Sequence, residues 1–97
     1  MKIGNNVTLW SGNHIGHDVI INDHCFITSH VVISGFTEVG EFSFIGVNST
    51  LRDSIVIGKK CLIGAGACIM ESTEDESVWL PIKSVQLNKK SSELKIS

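Results

Sequence analysis

The chain has no tyrosine, one proline (Pro81) and three cysteines (Cys25, Cys61, Cys68) that form no Cys-x-x-Cys pair. An odd, scattered set of cysteines is neither a disulfide framework nor a zinc knuckle, and it points to a reducing, cytoplasmic setting. No apolar run approaches the ~20 residues of a membrane-spanning helix. Met1-Lys2 leads straight into patterned sequence with no signal peptide, so no membrane partner is expected. A basic excess is also missing: Lys+Arg number 8 against 10 Asp+Glu, net charge −2. Without a basic surface, no nucleic-acid partner is expected. Ninety-seven residues make one domain at most, with a core small enough to need help from neighbours.

What the chain does contain is a period of six. From Ile3 onward every sixth residue is aliphatic: Ile3, Leu9, Ile15, Ile21, Ile27, Ile33, Val39, Ile45, Leu51, Ile57, Ile63 and Ile69. Ile, Leu and Val make up 28 of 97 residues, so twelve in a row by chance has a probability of roughly a few in ten million; a fixed period of this kind signals a solenoid. Six of nine glycines (Gly4, Gly16, Gly40, Gly46, Gly58, Gly64) directly follow a leading aliphatic, and the fifth positions are small or slender, among them Cys25, Thr37, Ser43, Ser49, Cys61 and Ala67. Six fits neither a helix nor a flat half-buried sheet. It fits short strands separated by bends, one large aliphatic per strand pointing inward.

The hexads IGVNST, IGKKCL and IGAGAC resemble those of the hexapeptide-repeat acyltransferases. The resemblance covers residues 3–74 and implies an all-β fold, a left-handed parallel β-helix of about four coils with three hexads per coil. Residues 75–97 are expected as a loop and irregular C-terminal tail, with a short helix over residues 86–96. Residues 18 apart then stack about 4.8 Å apart, with third and fourth positions at the corners. His17 and Asp18 share a corner under Gly35 and Phe36, then Asp53 and Ser54, then Glu71 and Ser72. His24 and His30 take the other corners, and His14 lies on a flat face. Metal ligands must converge at about 2.0–2.1 Å per bond; histidines dispersed in this way do not, and no metal is expected.

Ile15-Gly16-His17-Asp18, Gly35 one coil later and Ile45-Gly46-Val47-Asn48-Ser49, all in one register, resemble a narrower group, the sialic-acid O-acetyltransferases and amino-sugar N-acetyltransferases. That resemblance implies acetyl transfer from acetyl-CoA to a hydroxyl or amine of a sugar or nucleotide-sugar. His17 would be the general base and Asp18 its orienting carboxylate, while Gly35 offers a backbone N–H to the thioester oxyanion. It further implies a homotrimer binding the coenzyme between adjacent prisms. Val47 and Ala65 would line the coenzyme, Gly46, Gly64 and Gly66 would leave room for it, and Lys83 would lie near a CoA phosphate. His14 and His30 are candidate substrate contacts. Cys25 and Cys61 read as core fillers, Cys68 as an outward thiol. One outer column, Thr8, Phe26, Phe44 and Leu62 with Trp10 beside it, is apolar enough to be an interface. Relatives with the His-Asp motif carry a nucleotide-sugar-binding domain before the prism, which these residues do not include. Two other readings stay open: a catalytically inactive trimerising scaffold or fragment, and an intersubunit metal enzyme of the gamma-carbonic-anhydrase type.

Overall fold

The computed structural model describes residues 1–94. Among them are thirteen strands of two residues each, numbered in chain order, stacked in three parallel sheets. The first face holds β1 (Lys2–Ile3), β4 (Ile20–Ile21), β7 (Glu38–Val39) and β10 (Val56–Ile57). The second holds β2 (Thr8–Leu9), β5 (Phe26–Ile27), β8 (Phe44–Ile45), β11 (Leu62–Ile63) and β13 (Val78–Trp79). The third holds β3 (His14–Ile15), β6 (Val32–Ile33), β9 (Thr50–Leu51) and β12 (Cys68–Ile69). Register is set by the period: Ile3 pairs with Ile21 and Ile27 with Ile45, one coil apart. The fold is a left-handed parallel β-helix of about four coils, as the repeat implies, 50 × 25 × 23 Å overall.

Three local rules hold the prism together. Leading aliphatics fill the axis: from Ile21 to Ile69 all are at most 2% exposed. Small fifth-position residues also point inward, and their polar atoms need partners once buried. They find them in carbonyls of the next coil: Thr37 Oγ1 donates to Arg52 (2.6 Å), Ser43 Oγ to Gly58 (2.8 Å), Ser49 Oγ to Gly64 (2.9 Å) and the Cys25 thiol to Gly40 (3.1 Å). Fourth positions turn the chain by entering the left-handed region, with φ between 54° and 62° at every non-glycine corner from Asn6 to Lys60. Even Phe36 and Phe42 adopt it, a conformation unfavourable for bulky residues, because the corner ladder demands it. Phe36 N–H, for example, donates to the His17 carbonyl at 3.1 Å.

The two ends differ. In the lowest coil Ile3 is 44% and Leu9 39% exposed, so the core is open below. Above, Trp79 packs against it. The six-residue register stops after Ile69, because residue 75, where the next inward aliphatic would fall, is Asp. Asp75 instead accepts the Lys59 N–H at the corner (2.8 Å), Thr73 bonds to Val56 and Gly58 in place of a strand, and Val78 comes to lie over Leu62 two residues early. Ser72, expected to extend the His17 corner, turns its hydroxyl to the Val56 N–H (3.0 Å), and that corner's backbone ladder ends at Ser54 among the described residues. From Leu80 to Leu94 the tail is exposed. Of the helix expected over residues 86–96 there is one 3-10 turn, Ser91–Glu93; residues 95 and 96 lie outside the described residues.

Candidate active site

His17 and Asp18 occupy the corner between the third and first faces. The His17 Nδ1 lies 3.0 Å from Asp18 Oδ2. An ionised carboxylate only accepts, so Nδ1 carries the proton and, in the neutral ring, Nε2 keeps the lone pair. The hydrogen bond from His17 is the main cause holding the Asp18 carboxyl below its ordinary value; desolvation opposes it and the imidazole charge adds to it. Both side chains are open to solvent, 76% and 63% exposed, so the pair orients the ring more than it stabilises the fold.

Gly35 sits directly over this imidazole. A Cβ there would lie 3.5 Å from His17 Nε2 and 3.3 Å from the His17 carbonyl. Among the described residues the Gly35 N–H has no hydrogen-bond partner. Gly16 lets the coils close here, since a Cβ on it would stand 2.6 Å from the Gly35 nitrogen. Phe36 meets the imidazole edge to face, centroids 4.8 Å apart at 84°. Its register, one coil above Asp18, was the available signal for this contact, which the motif reading missed. A cavity of about 290 Å³ opens beside the pair, lined by Met1, Lys2, Asp18, Val19, Ile20 and Phe36.

The candidate coenzyme residues Gly46, Val47, Gly64 and Ala65 line the corner between the second and third faces, across the third face from His17. One chain therefore does not bring the two groups together. The space over Gly46 is already filled, since a Cβ would lie 2.5 Å from the Ala65 nitrogen. Over Gly64 stand Leu80 and Pro81, 3.1 and 3.2 Å from such an atom, whereas Gly66, at φ 75°, has open space above it. Gly46 is thus required by close packing within the chain, whereas a Cβ on Gly64 would need Leu80 and Pro81 to give by a few tenths of an ångström. Lys83 lies in the exposed tail.

The other histidines have different surroundings. His14 is exposed on the third face, on the strand that leads to His17. His30 rests against Gly12, whose missing Cβ would collide with its ring, at the corner that holds Val47. His24 stacks on Phe42 (4.7 Å, 23°), with Asn6 Nδ2 3.0 Å from its Nδ1. Among the described residues no three His, Cys, Asp or Glu side chains converge as metal ligands would. Cys25 and Cys61 are buried free thiols, Cys68 is exposed, and burial pushes the Cys25 thiol up.

A family model described as bacterial transferase hexapeptide (six repeats) matches residues 1–35. The acyl-(acyl-carrier-protein)–UDP-N-acetylglucosamine O-acyltransferase of Nautilia profundicola is 29% identical over 70 residues, 72% of this chain and 27% of that protein. The protein of the same name from Helicobacter pylori is 28% identical over 67 residues, 69% of this chain and 25% of its own length. The chain spans about a quarter of the length of these curated relatives. Among solved structures, serine acetyltransferase isoform 3 of Entamoeba histolytica, in complex with cysteine, superposes at TM-score 0.79 with 22% identity, covering 95% of this chain and 36% of that one. The Neisseria gonorrhoeae serine acetyltransferase in complex with serine gives 0.75 and 21%, covering 79% and 35%. This chain resembles hexapeptide-repeat acyltransferases. The sequence relatives carry that resemblance; the structural neighbours, at this identity, share the fold. No described helix is long and apolar enough to cross a membrane.

Proposed function

We propose that the chain transfers an acyl group, most simply acetyl from acetyl-CoA, to a hydroxyl or amine of a sugar or nucleotide-sugar, with His17 as general base. The observation that carries this reading is the His17–Asp18 pair at 3.0 Å, with Nε2 3.5 Å from where a Gly35 Cβ would stand and with a Gly35 N–H that no described group accepts. A base and an oxyanion donor at one corner are what attack on a thioester needs. The acceptor passes its proton to Nε2 as its oxygen or nitrogen bonds to the thioester carbon. The carbonyl oxygen, now negative, takes the Gly35 N–H. Collapse breaks the C–S bond, and the imidazolium returns the proton to the leaving thiolate. No acyl-enzyme forms.

The acceptor fits the cavity beside Asp18 and Phe36, where Lys2 suits an anionic group, and His14 lies across the His17 corner on the third face, within reach of a longer acceptor. Val47 and Ala65 sit at another corner, so the donor is completed between chains: the third-face edge of one prism meets the His17 corner of its neighbour in a homotrimer, with His30 at the shared groove. The curated relatives' names support an acyl donor and a UDP-sugar acceptor, with a carrier protein as the alternative to the coenzyme.

Calorimetric titration with acetyl-CoA is the first test. Saturable binding near one site per chain, retained in His17→Ala, followed by CoA release with nucleotide-sugars from the native chain alone, is the expected result. No binding by a folded oligomer would overturn the transferase reading and leave a scaffold.

A further inference from the structure

Charge is divided unevenly along the chain. Residues 1–76 carry nine carboxylates against four basic side chains, net −5; residues 77–97 carry four lysines against Glu93, net +3. The acidic half has a place that matches the basic one. On the first face, where it meets the corner of His24, runs a groove of about 370 Å³. Its back is Gly40, Gly58 and Val56, which is 49% exposed. Its sides carry four carboxylates, Asp23, Asp75 and the half-buried Glu38 and Glu41, against one cation, Lys59. Among the described residues Glu38 has only Asn22 as a side-chain partner (3.0 Å), and Glu41 has neither an ion pair nor a side-chain hydrogen bond. No described ion pair joins Lys59 to any of them, and an excess of half-buried carboxylates favours a partner that brings positive charge.

The tail brings both charge and apolar surface. Ile82 is 94%, Val85 79% and Leu87 59% exposed. No described ion pair involves Lys83, Lys89 or Lys90. In an extended segment alternate residues share a side, so Lys83, Val85, Leu87 and Lys89 line up as two apolar residues flanked by lysines. Seven residues at about 3.3 Å each reach roughly 20 Å, enough to run along a groove that climbs three coil steps, about 14 Å, from Asp23 to Asp75. The tail leaves the prism past the corner between the second and third faces, opposite the groove of its own chain.

We infer that the groove on the first face binds residues 83–89 of a second copy of this chain as an extended segment, apolar residues against Val56 and the glycine wall, lysines toward Glu38 and Glu41. The inference does not rest on the acyl-transfer reading.

The test uses the full chain and a labelled peptide of residues 80–94, followed by fluorescence anisotropy. Saturable binding is expected, weakening about tenfold between about 20 and about 300 mM salt, as exposed charge pairs are screened. Glu38→Lys with Glu41→Lys should weaken it more than about tenfold, and a peptide with its three lysines changed to glutamate should bind that variant but not the native chain. Should the groove variant fail to fold, Glu38→Gln with Glu41→Gln and the reversed peptide against the native chain still decide. Absent binding, binding indifferent to groove charge, or failure of the swapped pair overturns the inference. So does binding seen only after the chain's own tail lysines are reversed, which would mean that its own tail fills the groove.

Discussion

Two corners of this prism share one architecture and differ in chemistry. At each, a fourth-position residue adopts a left-handed backbone and a phenylalanine stands nearby, Phe36 at one and Phe42 at the other. His24 is itself that fourth residue. Its ring lies flat on Phe42, and its Nδ1 meets the Asn6 amide, a neutral partner that fixes no charge. His17 is one position earlier. That single step leaves the fourth position to Asp18, whose carboxylate holds Nδ1 and leaves Nε2 facing Gly35. A one-residue shift within a repeat thus separates an imidazole stacked on a ring from one held at Nδ1 by a carboxylate with its Nε2 left open.

The largest effect should come from removing the two rings. His17→Ala is expected to lower acyl-transfer turnover by about 10²–10⁴, the usual worth of a general base, while binding of acetyl-CoA is kept. His24→Ala should stay within about twofold of the native rate. Equal losses in a CoA-release assay would erase the distinction between the corners.

Glycines sharpen it next. Gly35→Ala adds a methyl 3.5 Å from Nε2 without striking backbone closer than 3.3 Å. Turnover should fall about 10- to 100-fold, less than outright loss of an oxyanion donor because the N–H remains, with little change in melting temperature. Gly40→Ala, on the first face near the His24 corner, would put its Cβ 2.6 Å from Gly58 backbone. Thermal unfolding should show a loss of about 1–3 kcal/mol there, as overpacking does, with turnover per folded chain unchanged.

Asp18→Asn follows. Asparagine tolerates the left-handed corner, so the fold should hold, while turnover drops about tenfold, far less than at a buried triad because both groups are solvent-exposed. The carboxyl of Asp18 is lowered in the folded chain, chiefly by its bond from His17. Its contribution is therefore present above the ordinary aspartate range and lost as pH falls through the lowered folded value. An NMR titration should find that midpoint below an ordinary aspartate, and back in the ordinary range in His17→Ala.

How much of this was readable beforehand depends on what the period controls. Inward Ile33, Ile45 and Leu51, the hydroxyls of Ser43 and Ser49, and the stacking of Gly35 over His17 follow from counting by six, since one coil repeats the last. The break after Ile69 was marked only by Asp75 in an inward slot, a weak signal because Thr73 just before it is buried as the pattern requires. Gly46 has a packing need of its own beside any ligand role, contact with Ala65 overhead, which depends on coil-to-coil distance at a corner and leaves no trace in spacing. The separation of the His17 and Val47 corners follows from the register, but whether a second chain rejoins them is a property of assembly.

The smallest predicted effect isolates the aromatic neighbours. Phe36 and Phe42 have φ of 61° and 60°, so replacing either by leucine changes the backbone cost by nearly the same amount. What differs is the partner ring: Phe36 meets His17 edge to face, Phe42 lies parallel to His24. An aromatic pair is worth about 0.5–1.5 kcal/mol beyond burial, which at His17 goes into ring orientation beside the cavity proposed for the acceptor. Phe36→Leu should then lower kcat by about two- to fivefold and loosen KM, because the same ring lines that cavity. Phe42→Leu should leave both constants alone while matching its effect on melting temperature. Matching losses in kcat from the two variants would trace the effect to shared corner strain, and Phe36 would then be no more than another turn in the solenoid.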